Sequence, residues 1–376
     1  MPDPGAGSNA QAGESLGEVI CGLPGSAANH HVKGGRGAFH SPQEEEAALH
    51  TGTMPLPSWL HFFQRPFPSS NMFLLAGTRP LLVDTGFGSD TDETERLIGA
   101  AGIPSQRLAL IVNTHYHSDH VGGNHWLQTR CGVPIAAHRW DAAMINHRDP
   151  EAGSARWLDQ PISPYHVDRA LSEGDELDIG GVTLQVLHTP GHTLGHLALY
   201  EPTEQILIAG DTVHADDVGW IGCFREGAGA LERAMETIER LLRLKVRAAF
   251  SGHGPAHEHF QHAAQTALRR YEQWLHAPEK MAWHACKRIF AYRLMLVNGL
   301  PEADIVPYLQ RCQWFLDYSR VLFRQEPEVF IQPFLEEMLR SGAAAWREGR
   351  LVALAPHRPP SATWLAEQLP PGHWAP

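Results

Sequence analysis

Thr114-His115-Tyr116-His117-Ser118-Asp119-His120-Val121-Gly122-Gly123 stands directly behind an apolar run at residues 108–112, the pattern of a buried strand that ends in a polar turn. In extended chain alternate residues share a face, so His115 and His117 point together, and the turn that follows redirects Asp119 and His120 to a neighbouring point. Four ligand-type side chains thus converge within six residues. Neutral imidazole and carboxylate suit zinc, iron and manganese, and no cysteine stands close by to supply a thiolate. A single buried histidine is ordinarily a hydrogen-bonded core residue. Three of them with an aspartate in one Gly-rich turn differ, because burying them without a metal leaves several polar groups to satisfy for no gain in packing.

The composition agrees with a metal site. There are 24 His against 7 Tyr, and eight of those His fall within residues 113–125 and 250–262. At 376 residues, 43% apolar and 19% charged, the chain can build two globular domains and is not globally disordered. The 30 Lys and Arg against 42 Asp and Glu give a formal charge of -12, which repels phosphate backbones, so nucleic acid is not the expected partner. No apolar window is long enough for a membrane helix, and residues 1–5 do not resemble a signal peptide, so the cytoplasm is the expected location. Five widely spaced cysteines, an odd number without a CxxC, fit reduced thiols.

Residues 1–47 lack apolar periodicity and are expected to be a disordered tail; the pair His30 and His31 within it is read as solvated. From residue 54 short apolar runs end in Gly, Pro or Asp, predicting strands at 72–75, 81–83, 108–112, 133–137, 176–179, 182–187, 196–200, 205–209 and 247–250. Helices are expected at 90–101, opened by Ser89 or Asp90 and closed by Gly102, and at 229–244, where Leu231, Ala234, Met235, Ile238, Leu241 and Leu242 form one face. Beyond residue 270 the chain reads as helices at 288–297, 302–323 and 329–340, then a short strand at 349–354. The expected domains are therefore 48–270 and a helical, winged-helix-like module at 271–376. That module carries 11 Lys and Arg and 11 Asp and Glu, so a packing role at the substrate entrance or at a homodimer interface is preferred to DNA binding.

His115, His117, Asp119 and His120 match the HxHxDH signature of the metallo-β-lactamase superfamily, and the chain resembles that family further downstream. His188-Thr189-Pro190-Gly191-His192-Thr193-Leu194-Gly195-His196 resembles its third motif, Gly210-Asp211-Thr212 its bridging-carboxylate motif, and Ser251-Gly252-His253-Gly254-Pro255 its last histidine motif. Gly-His and Gly-Asp-Thr are common alone; four motifs in order, each after an expected strand and spread over about 140 residues, are specific. Asp84 in Val83-Asp84-Thr85-Gly86 matches the early aspartate that orients ligands or loops.

The resemblance, over residues 54–265, implies an α/β fold, the αββα sandwich of two mostly antiparallel sheets between helices. It implies two divalent metal ions, zinc first with iron or manganese as alternatives: His115, His117 and His192 on one, Asp119, His120 and His253 on the other, Asp211 bridging. Metals roughly 3.5–4 Å apart share a water that becomes hydroxide near neutral pH, and polarise the substrate carbonyl. Asp119 is further implied as a catalytic proton carrier to the leaving group. Asp211 and the third motif are similar to the glyoxalase II-like hydrolases and unlike the β-lactamases proper, which implies a small-molecule thioester or other activated ester as substrate. Residues 281–290 depart from the glutathione-binding pattern. The persulfide dioxygenases, with one iron, and the metal-dependent ribonucleases remain alternatives within the same fold. Phe63, Arg65, His214, Trp220, Phe224 and Arg225 are candidate substrate contacts.

Overall fold

The structure, a computed structural model, describes residues 56–373; the tail expected over 1–47, with His30 and His31, lies outside the described residues. Two sheets form the centre. The first has the order β1 (Leu60–Phe63), β2 (Met72–Leu75), β3 (Leu81–Val83), β4 (Leu110–Val112), β5 (Ile135–His138) and β6 (Arg169–Leu171). The second runs β11 (Ala248–Ser251), β10 (Ile206–Gly210), β9 (Leu197–Glu201), β8 (Thr183–His188) and β7 (Glu176–Asp178).

Period-two alternation on strands buried on both faces makes four layers. In β2, Phe73 and Leu75 meet Leu184, Val186, Leu199 and Ile208 of the second sheet, while Met72 and Leu74 turn outward to Leu97, Ile98, Leu127 and Ile145. In β10, Ile206 and Ile208 face the first sheet; Leu207 and Ala209 face Ala234, Ile238 and Leu241 of the helix Ala230–Leu241. Each fully buried aliphatic side chain contributes about 1.5–3 kcal/mol. The second sheet is antiparallel except at β10–β11. The first is not mostly antiparallel as expected: β3–β4, β4–β5 and β5–β6 are parallel. Each of those steps crosses over through a helix, Thr91–Ala100, Asn124–Cys131 and Arg139–Asn146, and a helical crossover returns the chain in the same direction.

The helix Thr91–Ala100 starts at Asp90 without a side-chain cap, because the Asp90 carboxylate instead accepts from Ser69 at 2.6 Å and faces Arg65 at 3.3 Å. Beyond β11 come the helix Phe260–His276, which the sequence pattern did not single out, and the helix Pro278–Leu296, longer than the 288–297 expected. The single helix expected over 302–323 breaks at Cys312, which is extended (φ -82°, ψ 118°), into Glu302–Arg311 and Gln313–Asp317, with a π-helical turn at Tyr318–Leu322. Helix Pro327–Arg340 precedes a hairpin of β13 (Ala344–Arg347) and β14 (Arg350–Ala353), and β14 also pairs with β12 (Leu300–Pro301). Phe290, Leu294, Trp314 and Phe334 from this region join Leu207, Ile238, Phe260 and Tyr271 in one continuous core, and the described residues all belong to one compact unit.

Candidate metal centre

The loops that leave β3, β4, β8, β10 and β11 meet at one edge of the sandwich. His115 Nε2 lies 3.1 Å from His117 Nδ1, which lies 3.0 Å from His192 Nε2. Their outer nitrogens fix the tautomers. His192 Nδ1–H donates to the Trp220 carbonyl at 2.6 Å, so its Nε2 is bare when the ring is neutral. The Thr114 hydroxyl donates to Asp84 Oδ2 at 2.7 Å, so at His115 Nδ1, 3.1 Å away, it accepts, and His115 Nε2 is bare as well. One proton on His117 Nδ1 can satisfy only one of the two. A cation at their common focus satisfies all three, which is the donor set of a metal and not of a hydrogen-bonded core. Burial, then the neighbouring His rings, hold His115 well below the usual histidine range, and burial first and His192 next do the same to His117. Neutral imidazole is the form that ligates.

Beside this triad, His120 Nε2 sits 3.7 Å from Asp119 Oδ2 and 3.5 Å from Asp211 Oδ1, and His253 Nε2 sits 3.1 Å from Asp119 Oδ2 and 3.6 Å from Asp211 Oδ2. Asp211 Oδ2 is also 3.8 Å from His192 Nε2, so one carboxylate faces both groups, as a bridging ligand must. His120 Nε2 and Asp211 Oδ1 are buried without hydrogen-bond partners, the orphaned pair that a cation would resolve. Burial opposes the charge on His120, but Asp119, Asp84 and Asp211 outweigh it and raise its pKa well above normal; His253 and His120 likewise overcome burial to hold Asp211 well below the carboxylate range. The residues expected as ligands, His115, His117, Asp119, His120, His192, Asp211 and His253, are all brought together here.

Supporting contacts explain how a loop-built centre stays in place. Gly252 passes so close that a Cβ would stand 2.1 Å from Asp211 Oδ1, and Gly210 (φ +52°) so close that a Cβ would stand 2.5 Å from His196 Nε2. His196 is no ligand: its Nε2 accepts the Asp211 amide at 2.9 Å, and its Nδ1 meets the Thr189 hydroxyl at 2.7 Å. Asn71 donates to the carbonyls of Ser251 (2.9 Å) and Gly254 (2.8 Å), and the Ser70 amide donates to the Asp119 carbonyl (3.0 Å), so one segment clamps two ligand loops.

A cavity of about 730 Å³ opens over these candidate ligands. Its far wall comes from the helix Pro278–Leu296, through Ile289, Tyr292 and Met295, and from Ala343 and Leu354 beside the C-terminal hairpin.

The sequence profile of the metallo-beta-lactamase superfamily matches residues 65–253, half of the chain. The chain belongs to this superfamily. Among curated relatives it is 35% identical over 188 residues to the hydroxyacylglutathione hydrolase of Pseudomonas putida strain F1, covering 49% of this chain and 61% of that protein. It is 33% identical over 162 residues to the protein of the same name from Methylococcus capsulatus, covering 43% and 53%. The chain thus spans between half and two thirds of the length of these relatives. A solved metallo-beta-lactamase family protein from Thermus thermophilus superposes with a TM-score of 0.52 at 23% identity, covering 80% of this chain and all of that one, a likeness of fold.

Superfamily membership does not place the substrate contacts, and several expected ones stand elsewhere. His214 and Trp220 line the cavity; Trp220 also stacks on His117 at 5.3 Å. Arg65 does not face it: the guanidinium is buried, donates to Thr94 at 2.7 Å and pairs with Asp90, bracing the loop after β3. Phe63 belongs to β1 and packs on the outer apolar cluster. Phe224 packs against Trp157 and Tyr318, and Arg225 pairs with Glu151 at 3.6 Å. The sequence pattern missed Asn71 and Tyr292, whose approach to the loops is purely tertiary; Lys287 and Arg288, the cations of the 281–290 stretch that departs from the glutathione-binding pattern, do line the cavity.

Proposed function

We propose that this chain is a metal-dependent hydrolase of the glyoxalase II type, acting on a small thioester or other activated ester with two divalent cations, zinc foremost. The observation that carries the reading is the convergence of ring nitrogens of His115, His117 and His192 at 3.0–3.1 Å, those of His115 and His192 bare, beside the orphaned His120 Nε2 and Asp211 Oδ1. His115, His117 and His192 would hold one cation and Asp119, His120 and His253 the other, with Asp211 shared. Bound cations supply Lewis acidity, which generates a nucleophile from water near neutral pH and polarises a carbonyl.

The chain's own groups do the rest. Trp220 and Tyr292 line the cavity beside the ligands, and the cavity admits an acyl group to their exposed side. Asp119, at 3.1 Å from His253, keeps one carboxylate edge towards the cavity, where it can carry a proton to the departing thiolate. The carbon–sulfur bond breaks as the carbon–oxygen bond forms, and the proton removed from water ends on the sulfur. The segment beyond residue 270, through Ile289, Tyr292, Met295, Ala343 and Leu354, acts here as the second wall of the substrate cavity. Among the described residues Cys131, Cys223, Cys286 and Cys312 are all free, which supports a reducing compartment, the cytoplasm, and no helix is long and apolar enough to cross a membrane.

Metal analysis of protein purified without added metal, followed by a panel of thioester, lactone and phosphodiester substrates, tests the reading. Thioester turnover that disappears on chelation and returns with zinc supports it; turnover of phosphodiesters alone sinks it.

A further inference from the structure

A second cleft, of about 400 Å³, lies next to the cavity, and Lys287 and Arg288 line both. The two differ in chemistry. Towards the C-terminal helices the cavity presents apolar groups such as Leu158, Val218, Ile289 and Met295. The cleft presents five cations, Arg270, Lys280, Lys287, Arg288 and Arg340, together with the rings of Trp274 and Trp283. Asp217 pairs with Arg270 and Arg288, and Glu337 pairs with Arg340 and with Lys287 at 2.9 Å. Five cations against two carboxylates leave a local positive excess in a chain whose formal charge is -12. All of the cleft residues lie beyond residue 253, where the superfamily match stops.

We propose that this cleft binds the phosphate-bearing nucleotide end of a thiol leaving group, while the acyl group of the same thioester occupies the apolar cavity at the metal centre. The proposal rests on the thioester reading for what fills the cavity. Guanidinium and ammonium groups gathered on one concave surface recognise phosphate oxygens by charge-assisted hydrogen bonds. Trp283, half-buried against Phe323, adds a flat apolar wall for a heteroaromatic base. The cleft is of small-ligand size, which suits one nucleotide and not a strand. Arg288 at the junction places one cation between acyl and nucleotide ends, where the linker of such a thioester must pass.

Calorimetry on the full-length, metal-loaded protein in phosphate-free buffer tests this, with adenosine 3′,5′-bisphosphate, coenzyme A and glutathione as probes. Both nucleotide probes should bind, and glutathione, which has carboxylates but no phosphate, should bind about tenfold more weakly or less. Lys280→Ala combined with Arg340→Ala, two exposed positions, should weaken nucleotide binding by about tenfold or more and leave the unfolding temperature and metal content unchanged. Equal affinity for glutathione, or nucleotide binding indifferent to the double variant, overturns the proposal. So does capture of single-stranded RNA that falls steeply with salt, which would make the cleft part of a polyanion track. Hydrolysis is read separately, with an acyl thioester of coenzyme A beside one of N-acetylcysteamine. Nucleotide binding without turnover of either upholds the cleft and sinks the hydrolase reading alone; a KM no higher for the nucleotide-free thioester sinks the cleft and leaves the hydrolase reading standing.

Discussion

His120 Nδ1 and Asp84 Oδ2 stand 2.8 Å apart, both fully buried, and the same carboxylate accepts from the amide and the hydroxyl of Thr114. Asp84 reaches this position from a left-handed backbone conformation, φ +58°, which aspartate tolerates better than most residues. A carboxylate there accepts the Nδ1 proton and keeps His120 Nε2 free to face Asp119 and Asp211.

Asp84→Asn should therefore disturb one metal more than the other. Its amide can donate to His120 Nδ1, which moves the ring proton to Nε2, where a cation would sit. Titration against a competing chelator should show one of the two affinities falling about 10–100-fold while the other holds. Unchanged affinities would mean that Asp84 merely closes a loop.

Purified protein should hold close to two transition-metal ions per chain, since both halves of the ligand set are complete. Elemental analysis gives the number. A single tightly held iron, with oxygen uptake on a persulfide, would support the dioxygenase alternative and displace the hydrolase.

Asp211→Ala should lose far more turnover than stability, because this carboxylate alone faces both groups, at 3.5–3.8 Å from His120, His192 and His253. His196→Ala removes the acceptor for the Asp211 amide and the partner of the Thr189 hydroxyl but leaves every candidate ligand in place, and should cost less turnover. Paired measurements of kcat and bound metal decide it: equal losses at equal metal content would show that His196 and Asp211 have been given each other's roles.

Stability should fall on acidification for a reason separate from the metals. The buried His138 ring stacks on His188 at 4.1 Å, and burial, then His188 and Arg139, push its pKa down to about 4. Unfolded histidine titrates near ~6.5. The unfolded chain then binds a proton that the folded chain refuses, so this residue's contribution is full above about pH 6.5 and is lost as pH falls towards 4. His284, pushed down to about 3 by burial beside Arg270 and Lys287, acts with the same sign. Unfolding temperature measured from pH 7 to 4 should decline, and His138→Gln should flatten part of the decline; an identical slope in the variant would place the effect elsewhere.

The ligand set is legible in the sequence because each motif is short, contiguous and placed at a strand exit, and β3, β10 and β11 are buried on both faces and so read as apolar runs, while β8 alternates. The crossovers that make half of the first sheet parallel are less visible: helix Asn124–Cys131 has few apolar residues and no side-chain cap. Likewise β12 is two residues long, and β13 ends on the exposed Trp346 and Arg347, too little alternation to announce a strand. The apolar pattern also runs straight across Cys312, where the helix stops. The far wall of the cavity leaves no local trace, since Tyr292 reaches the Pro68 carbonyl (3.0 Å) across more than two hundred residues of chain.

Truncation after residue 270 should remove more than a substrate wall. The sequence pattern gives residues 271–376 a packing role at the substrate entrance or at a homodimer interface. Phe260, Ala263, Ala264 and Ala267 on helix Phe260–His276 share one buried cluster with Ile289, Phe290 and Leu294 of the next helix, and that cluster continues to Leu207 and Ala209 on the strand that leads into Asp211. Cutting at 270 also divides the helix itself, ahead of the buried Tyr271 and Trp274. Exposing several aromatic and aliphatic side chains at about 1.5–3 kcal/mol each exceeds the margin of a typical domain. The truncated chain should be recovered aggregated, or as a species that binds hydrophobic dyes and retains little metal. A soluble, fully metallated product with a sharp unfolding transition would show that the catalytic sandwich stands alone and that the shared core is dispensable.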